Sequence, residues 1–438
     1  MAGIGDARVT VRTDAPIDRI DPALYGHFSE HLGRCIYDGL YHDETADGEG
    51  YREDVLGLLE DLEVPVLRWP GGCFADDYHW EDGVSDDRPR RRNLFWAQGR
   101  EEVYGVRYWG LGNENWGCGG RMSPEGYARE YRRFANYVGT TSNHLLDHDL
   151  ELIACGFSDH EWNRRFLEEV SKSPWGPSFP LDHLTLHHYY GQTVSVVEDS
   201  EEAYDRMLVE ALELDEHIER IAAAIDAVAT TRDIGIIIDE WGAWHTEAVA
   251  ESGLEQPGTV IDALSAAVVL DVFNDHADVM TMSNIAQTVN VLQCLVETAG
   301  DEAWARPTYR VFDLYAPHKS NEAVRMSVDA PTREVGDTEL PLVGASASVS
   351  DDGETYVTVT NLDTRSTHTV EIGVGGDDAA DVDAKVLFEG QEPDLVVDAD
   401  NADEFGGQDA VLDVDVEVGG GELVGVVGVD DEVGLLPL

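Results

Sequence analysis

Two glutamates stand at the ends of two apolar runs in this chain, and their surroundings are alike. Residues 106–112 alternate branched or aromatic residues with smaller ones and lead to Glu114. Residues 234–238 are almost wholly apolar and lead to Glu240. Runs of this kind are typical of strands buried in a parallel sheet. Each glutamate is therefore predicted at the carboxyl end of a strand, which in an α/β barrel is the end that faces the active site.

Two carboxyl groups at the top of a barrel are what retaining glycoside hydrolysis requires. One protonates the leaving oxygen while the other attacks the anomeric carbon, and the two groups lie roughly 5 Å apart. The plain alternative is that each glutamate is a solvated residue at a strand end. For either residue alone that interpretation is as good as the catalytic one. The matching contexts of Glu114 and Glu240 favour catalysis.

The rest of the chain supplies the elements that position these groups. Further buried strands are predicted around 24–31, 64–69, 152–157, 184–190 and 279–285, with helical segments between them. These strands and helices indicate a TIM-type (β/α)8 barrel, although only seven strands are counted. After Tyr315 the pattern changes to period two, which predicts an antiparallel β-sandwich. The expected division is an N-terminal strand in 1–18 that joins the sandwich, a catalytic barrel in 19–316, and the sandwich in 317–438.

Composition narrows the possible functions. The chain has 438 residues, of which 42% are hydrophobic, enough for a barrel and a second domain. It contains 88 Asp and Glu against 29 Lys and Arg, a formal charge of −59. Phosphate binding needs clustered Lys and Arg, so nucleic acid is an unlikely partner. Charge of this size opposes compaction unless salt screens it, and we therefore expect a halophilic protein.

The cysteines and the N-terminus indicate a soluble cytoplasmic protein. The five cysteines are scattered and odd in number, with no zinc-ligand spacing, and they suggest no disulfide framework. The N-terminus lacks a signal-peptide pattern, and no stretch is long enough to span a membrane. His187 and His188, with His79 and His245, raise the possibility of a metal site, but no spacing or carboxylate partner fixes one. We expect no metal and no cofactor.

Five runs in this chain, in the same order, resemble the α-L-arabinofuranosidases of glycoside hydrolase family 51. They are residues 26–33, 67–74, 109–114, 239–241 and 284–293. The resemblance covers nearly the whole chain and implies a barrel followed by a β-sandwich, with homo-oligomers common. It also implies exo-acting release of non-reducing terminal α-L-arabinofuranosyl residues. The substrate and partner would be an arabinose-containing oligosaccharide or polysaccharide.

The resemblance assigns roles around the bond that is cleaved. Glu114 matches the general acid/base, and Glu240 matches the nucleophile on the seventh barrel strand. Tyr190, or else Tyr189, matches the tyrosine that orients the nucleophile. Arg68 matches a residue beneath the nucleophile that favours the ionised carboxylate.

The resemblance also assigns contacts to the sugar. Asn113 matches a residue that hydrogen-bonds the 2-hydroxyl group. Glu30, Cys73 and Gln287 match positions that hold other hydroxyl groups of the arabinofuranose ring. His188 stands at a predicted strand top, where we expect it to hydrogen-bond the sugar.

One departure from the family concerns the third barrel unit. Family members carry a strand–helix unit where residues 93–97 of this chain run almost directly into 99–102. The unit looks deleted, which agrees with the count of seven strands. We therefore expect a gap between the Leu67 and Val106 strands, with weak or no activity. The alternatives are another retaining barrel glycosidase, acting on xylosides or glucan, and an inactive carbohydrate-binding paralogue.

Overall fold

The computed structural model describes most of the barrel region and part of the C-terminal region. The described residues are 5–42, 50–79, 105–139, 149–172, 179–195, 201–228, 233–366 and 368–375, with short strands further on. The place of the apparent deletion, residues 93–102, lies outside them. No helix in this part of the chain is long and apolar enough to cross a membrane.

A parallel sheet of seven strands is the framework of the barrel region. Its strands, in spatial order, are Leu67–Arg68, Gly26–Phe28, Met280–Ala286, Gly235–Ala243, His183–Tyr190, Glu151–Ala154 and Tyr108–Gly110. Every neighbouring pair in this order is parallel. The predicted parallel arrangement is therefore confirmed, with seven strands among the described residues.

Among the described residues, the two end strands of this sheet follow one another along the chain. Leu67–Arg68 stands at one end and Tyr108–Gly110 at the other, and no backbone pairing joins them within the described residues. We call the space between these two strands the seam. Its position is where the sequence predicts a missing strand. A cavity of about 760 Å³ lies there, lined from one side by Val66 and from the other by Tyr108.

Helices separate the strands as a barrel requires. In the described residues they are Glu53–Asp61, Pro124–Ala135, His160–Val170, Glu201–Asp226, Val260–Asp275 and Pro307–Tyr315. The strand Leu67–Arg68 is the exception, because only the short 3-10 helix Cys73–Asp77 follows it before the described chain breaks off. Other short 3-10 turns are Pro22–Tyr25, Ala250–Ser252 and Ala316–His318.

Local chemistry explains where two of these helices begin. Ser123 accepts a hydrogen bond from the backbone N–H of Gly126, and Pro124 occupies the first turn. Both residue types suit a helix start, since serine satisfies a free N–H group and proline has none. Thr259 and Asp262 cap the next-to-last helix reciprocally, side chain to backbone in both directions.

The C-terminal region forms one mixed sheet of eight strands together with the N-terminal strand. Their order is Val386–Leu387, Val426–Val427, Thr355–Asn361, Val343–Val349, Glu322–Asp329, Gly5–Arg19, His368–Val374 and Val416–Val418. Three further pairings are small: Val296–Ala299 with Glu302–Ala305, Thr332–Val335 with Thr338–Pro341, and Gly258–Thr259 with Val396–Val397.

The N-terminal strand pairs with two strands of the C-terminal region, and the purely antiparallel arrangement predicted for that region is wrong. Gly5–Arg19 pairs antiparallel with Glu322–Asp329 and parallel with His368–Val374. A period-two pattern shows which residues share a face, yet it carries no information on the direction of the neighbouring strand. The second layer of a sandwich stays a prediction, as do the expected domain boundaries.

Helix Val260–Asp275 packs between the barrel and the C-terminal sheet. Helix Val260–Asp275 is buried on all sides from Val260 to Asn274. It contacts both the strand Gly235–Ala243 and the strand Val343–Val349. The amide of Asn274 donates to the hydroxyl oxygen of Ser346. A helix that is apolar all round is expected where it packs between two layers.

Candidate active site

A cavity of about 990 Å³ opens at the carboxyl ends of the parallel strands. Seven of the ten predicted site residues line it, namely Glu30, Cys73, Glu114, His188, Tyr189, Glu240 and Gln287. Arg68 and Asn113 line the seam cavity instead. Tyr190 lines neither of these two cavities. The structure thus brings both glutamates and most of the predicted sugar-binding residues together in one pocket.

Glu240 is held from below and from the side. The carboxylate is 6% exposed, and its Oε1 accepts a hydrogen bond from Arg68 Nη1 at 2.7 Å. Burial lowers the pKa of Arg68, but the negative charges of Asp239 and Glu240 outweigh burial. The pKa of Arg68 therefore lies above the ordinary value of arginine. Arg68 therefore stays charged and favours the ionised form of Glu240. A Cβ on Gly72 would come within 2.6 Å of Glu240 Oε1, so only glycine fits in this loop.

Glu114 follows the edge strand Tyr108–Gly110 in an unusual backbone conformation. Its φ is 40°, in the left-handed region that residues other than glycine rarely adopt. The backbone N–H groups of Gly117 and Gly119 both donate to the Glu114 carbonyl, which fixes the turn that follows. Such conformations cost about 1–3 kcal/mol and cluster at functional sites. The turn directs the Glu114 side chain into the pocket.

His187 lies between the two glutamates. Its Nδ1 hydrogen-bonds Glu114 Oε1 at 3.0 Å and lies 3.2 Å from Glu240 Oε2, while its Nε2 lies 3.2 Å from Asp239 Oδ1. Burial lowers the pKa of His187, but the charges of Glu240 and Asp239 outweigh it and raise the pKa to about 10. One oxygen of Glu114 and one of Glu240 lie within 4.8 Å of each other and of this ring.

The tyrosine that contacts the nucleophile candidate is Tyr189, and the assignment to Tyr190 is wrong. Tyr189 donates a hydrogen bond to Glu240 Oε2 at 2.8 Å, and burial followed by the charge of Glu240 raises its pKa, so it keeps its proton. Tyr190 donates instead to Gln293 Oε1 at 3.0 Å and is buried. Successive strand residues face opposite sides, so only one of the two can point inwards.

His187 was not predicted as a site residue, because the sequence alone did not fix which residues of this strand face the pocket. His187 and Tyr189 share the inward face of the strand His183–Tyr190, whereas His188 and Tyr190 share the other. His188 lines the wall of the pocket, but its Nε2 lies 3.0 Å from the carbonyl oxygen of Glu210. A contact between His188 and sugar stays a prediction. Fixing Tyr189 as the inward residue would have identified His187 from the alternation alone.

Glu30 and Gln287 form a hydrogen-bonded pair in the pocket. Gln287 Nε2 donates to Glu30 Oε2 at 3.1 Å, and the backbone N–H of Glu30 donates back to Gln287 Oε1. Glu30 Oε1 accepts from the backbone N–H groups of Gly72 and Phe74. Burial raises the pKa of Glu30, and the charge of Glu240 adds to the rise. Contacts of this pair with sugar hydroxyl groups stay a prediction.

Asn113 links the two cavities from below. Its Oδ1 accepts a hydrogen bond from Arg68 Nη2 at 2.7 Å, and the side chain is buried. Arg68 also stacks over the ring of Phe28, with its guanidinium carbon 4.3 Å from the ring centroid. Arg68 thus connects Glu240 with Asn113, the residue directly before Glu114. The predicted contact of Asn113 with the 2-hydroxyl group stays a prediction.

The expectation that the cysteines form no disulfide is wrong, because Cys73 is bonded to Cys118. The two residues are 45 positions apart, and no local sequence motif predicts their pairing. A disulfide sulfur has no hydrogen to donate, so Cys73 cannot bind a hydroxyl group through a thiol. Cys118 Sγ lies 3.4 Å and Cys73 Sγ 3.7 Å from Glu114 Oε2. The three remaining cysteines are free and buried.

The histidines named above as possible metal ligands differ in their hydrogen-bond partners and in their exposure. His245 Nε2 lies 2.6 Å from Asp262 Oδ1, and burial of His188 lowers its pKa to about 4. His79 is exposed. One atom each of Glu114, His187 and Glu240 lies within 4.8 Å of the others, and the charges of the neighbouring carboxylates raise the pKa of His187, which favours its protonated form.

Known proteins of similar sequence and structure share this fold. Residues 239–418 match the model of the alpha-L-arabinofuranosidase C-terminal domain. An intracellular exo-alpha-L-arabinofuranosidase of Bacteroides ovatus is 31% identical, over 87% of this chain and 86% of its own. The crystal structure of a GH51 arabinofuranosidase from Xanthomonas axonopodis pv. citri has a TM-score of 0.77 and 31% identity, covering 86% of this chain and 89% of that one.

A third comparison supports the fold alone. The family 51 α-L-arabinofuranosidase AbfB of Bifidobacterium longum has a TM-score of 0.80 with 24% identity, covering 93% of this chain and 96% of that one. Fold and relatives together define a glycosidase. The chain belongs to the α-L-arabinofuranosidases of glycoside hydrolase family 51.

Proposed function

We propose that this protein is a retaining, exo-acting hydrolase of terminal α-L-arabinofuranosyl residues, with Glu240 as nucleophile and Glu114 as general acid/base. The observation that carries the proposal is the short distance between the two carboxyl groups. One oxygen of each lies within 4.8 Å of the other, and both carboxyl groups contact Nδ1 of His187. Retaining enzymes hold these groups about 5–5.5 Å apart, whereas inverting enzymes need about 6.5–9.5 Å to admit a water molecule.

The first step forms a glycosyl-enzyme. Glu240 attacks the anomeric carbon while Glu114 gives its proton to the departing oxygen. Arg68 and Tyr189 hold the two oxygens of Glu240 from below and from the side, at 2.7 Å and 2.8 Å, so that the carboxylate is oriented before substrate arrives. In the second step Glu114 takes a proton from water, and the water displaces Glu240 from the sugar.

The pocket offers different surfaces to the sugar and to the remainder of the substrate. Glu30 and Gln287 supply hydrogen-bonding groups suited to the hydroxyl groups of a terminal arabinofuranose. Trp116 and Phe157 line the same pocket and stack on each other, with ring centroids 4.1 Å apart. Their apolar faces suit the ring of a neighbouring sugar in an oligosaccharide or polysaccharide.

Hydrolysis of a chromogenic α-L-arabinofuranoside tests this function. We expect turnover of the arabinofuranoside and little of the matching xyloside or glucoside, with the first product formed in the α configuration by proton NMR. A faster xyloside or glucoside would favour the other retaining glycosidases. Binding of arabino-oligosaccharide without any turnover would favour the inactive paralogue. An inverted first product would contradict the retaining mechanism.

The absent third unit is part of this proposal. We infer that a strand–helix unit is deleted between Ala97 and Gly99, and that activity is weak because the strand before Glu114 has one paired neighbour among the described residues. Insertion of a unit of about 30 residues or more at this place should raise kcat. A matched insertion of a flexible Gly/Ser linker of equal length should not. Equal effects of the two insertions would contradict the deletion.

The charge of −59 leads us to infer a halophilic protein. The melting temperature should rise steeply between dilute buffer and molar KCl, because salt screens the repulsion. A flat profile would remove the support for this inference. We further propose that the chain acts inside the cell as a homo-oligomer, which light scattering in molar salt would test. The relative from Bacteroides ovatus carries the word intracellular in its name.

A further inference from the structure

The seam leaves the Glu114 side of the pocket with little support from the sheet. Within the part of the chain that the structure describes, strand Tyr108–Gly110 pairs with Glu151–Ala154 over three residues and with no strand on its other side. Among the described residues its other side faces the seam cavity of about 760 Å³. Val106 and Trp109 are 45% and 41% exposed, although buried strands are usual in a parallel barrel. Glu114 therefore needs other contacts to keep its distance from Glu240.

Among the contacts between described residues that cross the seam at its upper end, two matter most for Glu114. One is the hydrogen bond from Arg68 to Asn113 at 2.7 Å. The other is the disulfide between Cys73, which follows the strand Leu67–Arg68, and Cys118, which comes four residues after Glu114. The disulfide is the covalent one, and it joins the segments that follow the two end strands of the described sheet.

The disulfide also touches the groups that it would position. Cys118 Sγ lies 3.4 Å from Glu114 Oε2, within the turn closed by the Glu114 carbonyl. On the other side, the N–H groups of Gly72 and Phe74, which flank Cys73, donate to Glu30. Both cysteines are exposed in the described structure, in contrast to the three buried free cysteines.

We propose that the Cys73–Cys118 disulfide is a positioning device that holds Glu114 across the open seam, so that the activity of this chain depends on thiol redox state. This inference rests on the function proposed above. A dithiol reductant supplies two electrons and two protons. One of its thiolates attacks a protein sulfur, and its second thiol then resolves the mixed disulfide. The protein gains two thiols, the reductant becomes a cyclic disulfide, and the two loops are free to separate.

Reduction should harm the proton transfer more than the attack of the nucleophile. A displacement of about 1 Å can cost roughly a hundredfold in rate. Because Glu114 moves and Glu240 does not, the loss of kcat/KM should be about ten- to a hundredfold on an arabino-oligosaccharide, whose leaving group needs a proton. It should be under about threefold on an aryl arabinofuranoside whose leaving group needs none.

The experiment uses the full chain in molar salt, with and without dithiothreitol. The variant carrying both Cys73→Ser and Cys118→Ser should behave without reductant as the reduced wild type does, and should not respond to reductant. A Cys294→Ala variant, which removes a distant free thiol, should keep the wild-type response. Removal of the reductant followed by reoxidation should restore the wild-type activity. Equal losses on both substrates, or no loss on either, would overturn the positioning role.

Hydrogen exchange gives a second readout that does not depend on activity. Reduction should speed the exchange of backbone amides in residues 113–119 and leave those of 236–241 unchanged. Unchanged exchange in 113–119 would overturn the proposal even if the oxidised protein hydrolysed no arabinofuranoside. An inactive oxidised protein in which 113–119 loosen on reduction would contradict the proposed function and keep the positioning role.

Discussion

The two glutamates of the pocket are held by different kinds of structure. Glu240 lies within the strand Gly235–Ala243, which has a parallel neighbour on each side. Glu114 lies beyond the end of the edge strand Tyr108–Gly110, which has one neighbour. Glu240 is 6% exposed, whereas Glu114 is only partly buried and has a positive φ. One carboxyl group is placed by the sheet and the other by a turn.

The end strands of the described sheet are not paired with each other, yet both glutamates line one pocket. Backbone pairing fixes the position of Glu240, and Arg68 and Tyr189 add direct hydrogen bonds to its carboxylate. The turn that carries Glu114 is held by two backbone hydrogen bonds to the Glu114 carbonyl and by contacts of single side chains, among them the Cys118 disulfide. Many backbone hydrogen bonds hold a residue within a sheet, whereas only a few contacts hold a residue in a turn. The Glu114 side should therefore be the more easily disturbed.

The largest effect is expected from Glu240→Ala. Without a nucleophile neither step proceeds, so turnover should fall by roughly 10⁴-fold or more on every substrate, whatever the leaving group. Steady-state rates on an aryl arabinofuranoside and on an arabino-oligosaccharide measure this. Turnover near the wild-type rate on either substrate would show that Glu240 is not the nucleophile. A melting temperature within a few degrees of the wild-type value confirms that the variant is folded.

Glu114→Ala should show the opposite selectivity. General acid/base groups contribute about 10²–10⁴-fold, so kcat/KM on the oligosaccharide should fall by that factor. On an aryl substrate with a good leaving group, kcat/KM should stay close to the wild-type value while kcat falls, because the second step slows. Azide should then raise kcat by attacking the glycosyl-enzyme. If azide does not raise kcat and both substrates lose activity equally, Glu114 is not the general acid/base.

Tyr189 and Tyr190 provide a matched pair. Tyr189→Phe removes a hydrogen bond to a charged group, worth about 1.5–3 kcal/mol, so kcat should fall by roughly ten- to a hundredfold. Tyr190→Phe removes the hydrogen bond to Gln293, outside the pocket, and should leave kcat nearly unchanged while lowering stability. Michaelis constants and melting curves of both variants measure the difference. A larger loss of kcat in Tyr190→Phe would reverse the assignment.

The smallest effect concerns the pH dependence of stability at His187 and His188. The folded-state pKa of His187 is raised from 6.5 to about 10, so its contribution is full below about pH 6.5 and is lost as the pH rises through 10. The pKa of His188 is lowered to about 4, so its contribution is present above about pH 6.5 and is lost as the pH falls through 4.

Melting temperatures between pH 4 and 10, at constant molar salt, separate the two histidines. The difference between wild type and His187→Gln should shrink as the pH rises from 6.5. The difference between wild type and His188→Gln should shrink as the pH falls from 6.5. Parallel profiles for the two variants would mean that the charged ring does not lie between the carboxyl groups.

Much of the barrel framework could be predicted because its signals are local. The predicted strand around 184–190 appears as His183–Tyr190, and the apolar run before Glu240 appears as Gly235–Ala243. Buried strands require apolar side chains wherever they occur, so the sequence shows them without knowledge of their neighbours. The direction of pairing in the C-terminal sheet could not be predicted, because it depends on where a distant strand returns.

The sequence by itself determined the two glutamates at strand ends and the buried strands that precede them. Each is a pattern within about ten residues, and each is imposed by burial. Only the tertiary structure decided that Tyr189 rather than Tyr190 contacts Glu240, and that His187 lies between the carboxyl groups. It also decided that Cys73 is bonded to Cys118 across the seam. These are contacts between residues 45 or more positions apart, and their geometry is set by the packing of the whole sheet.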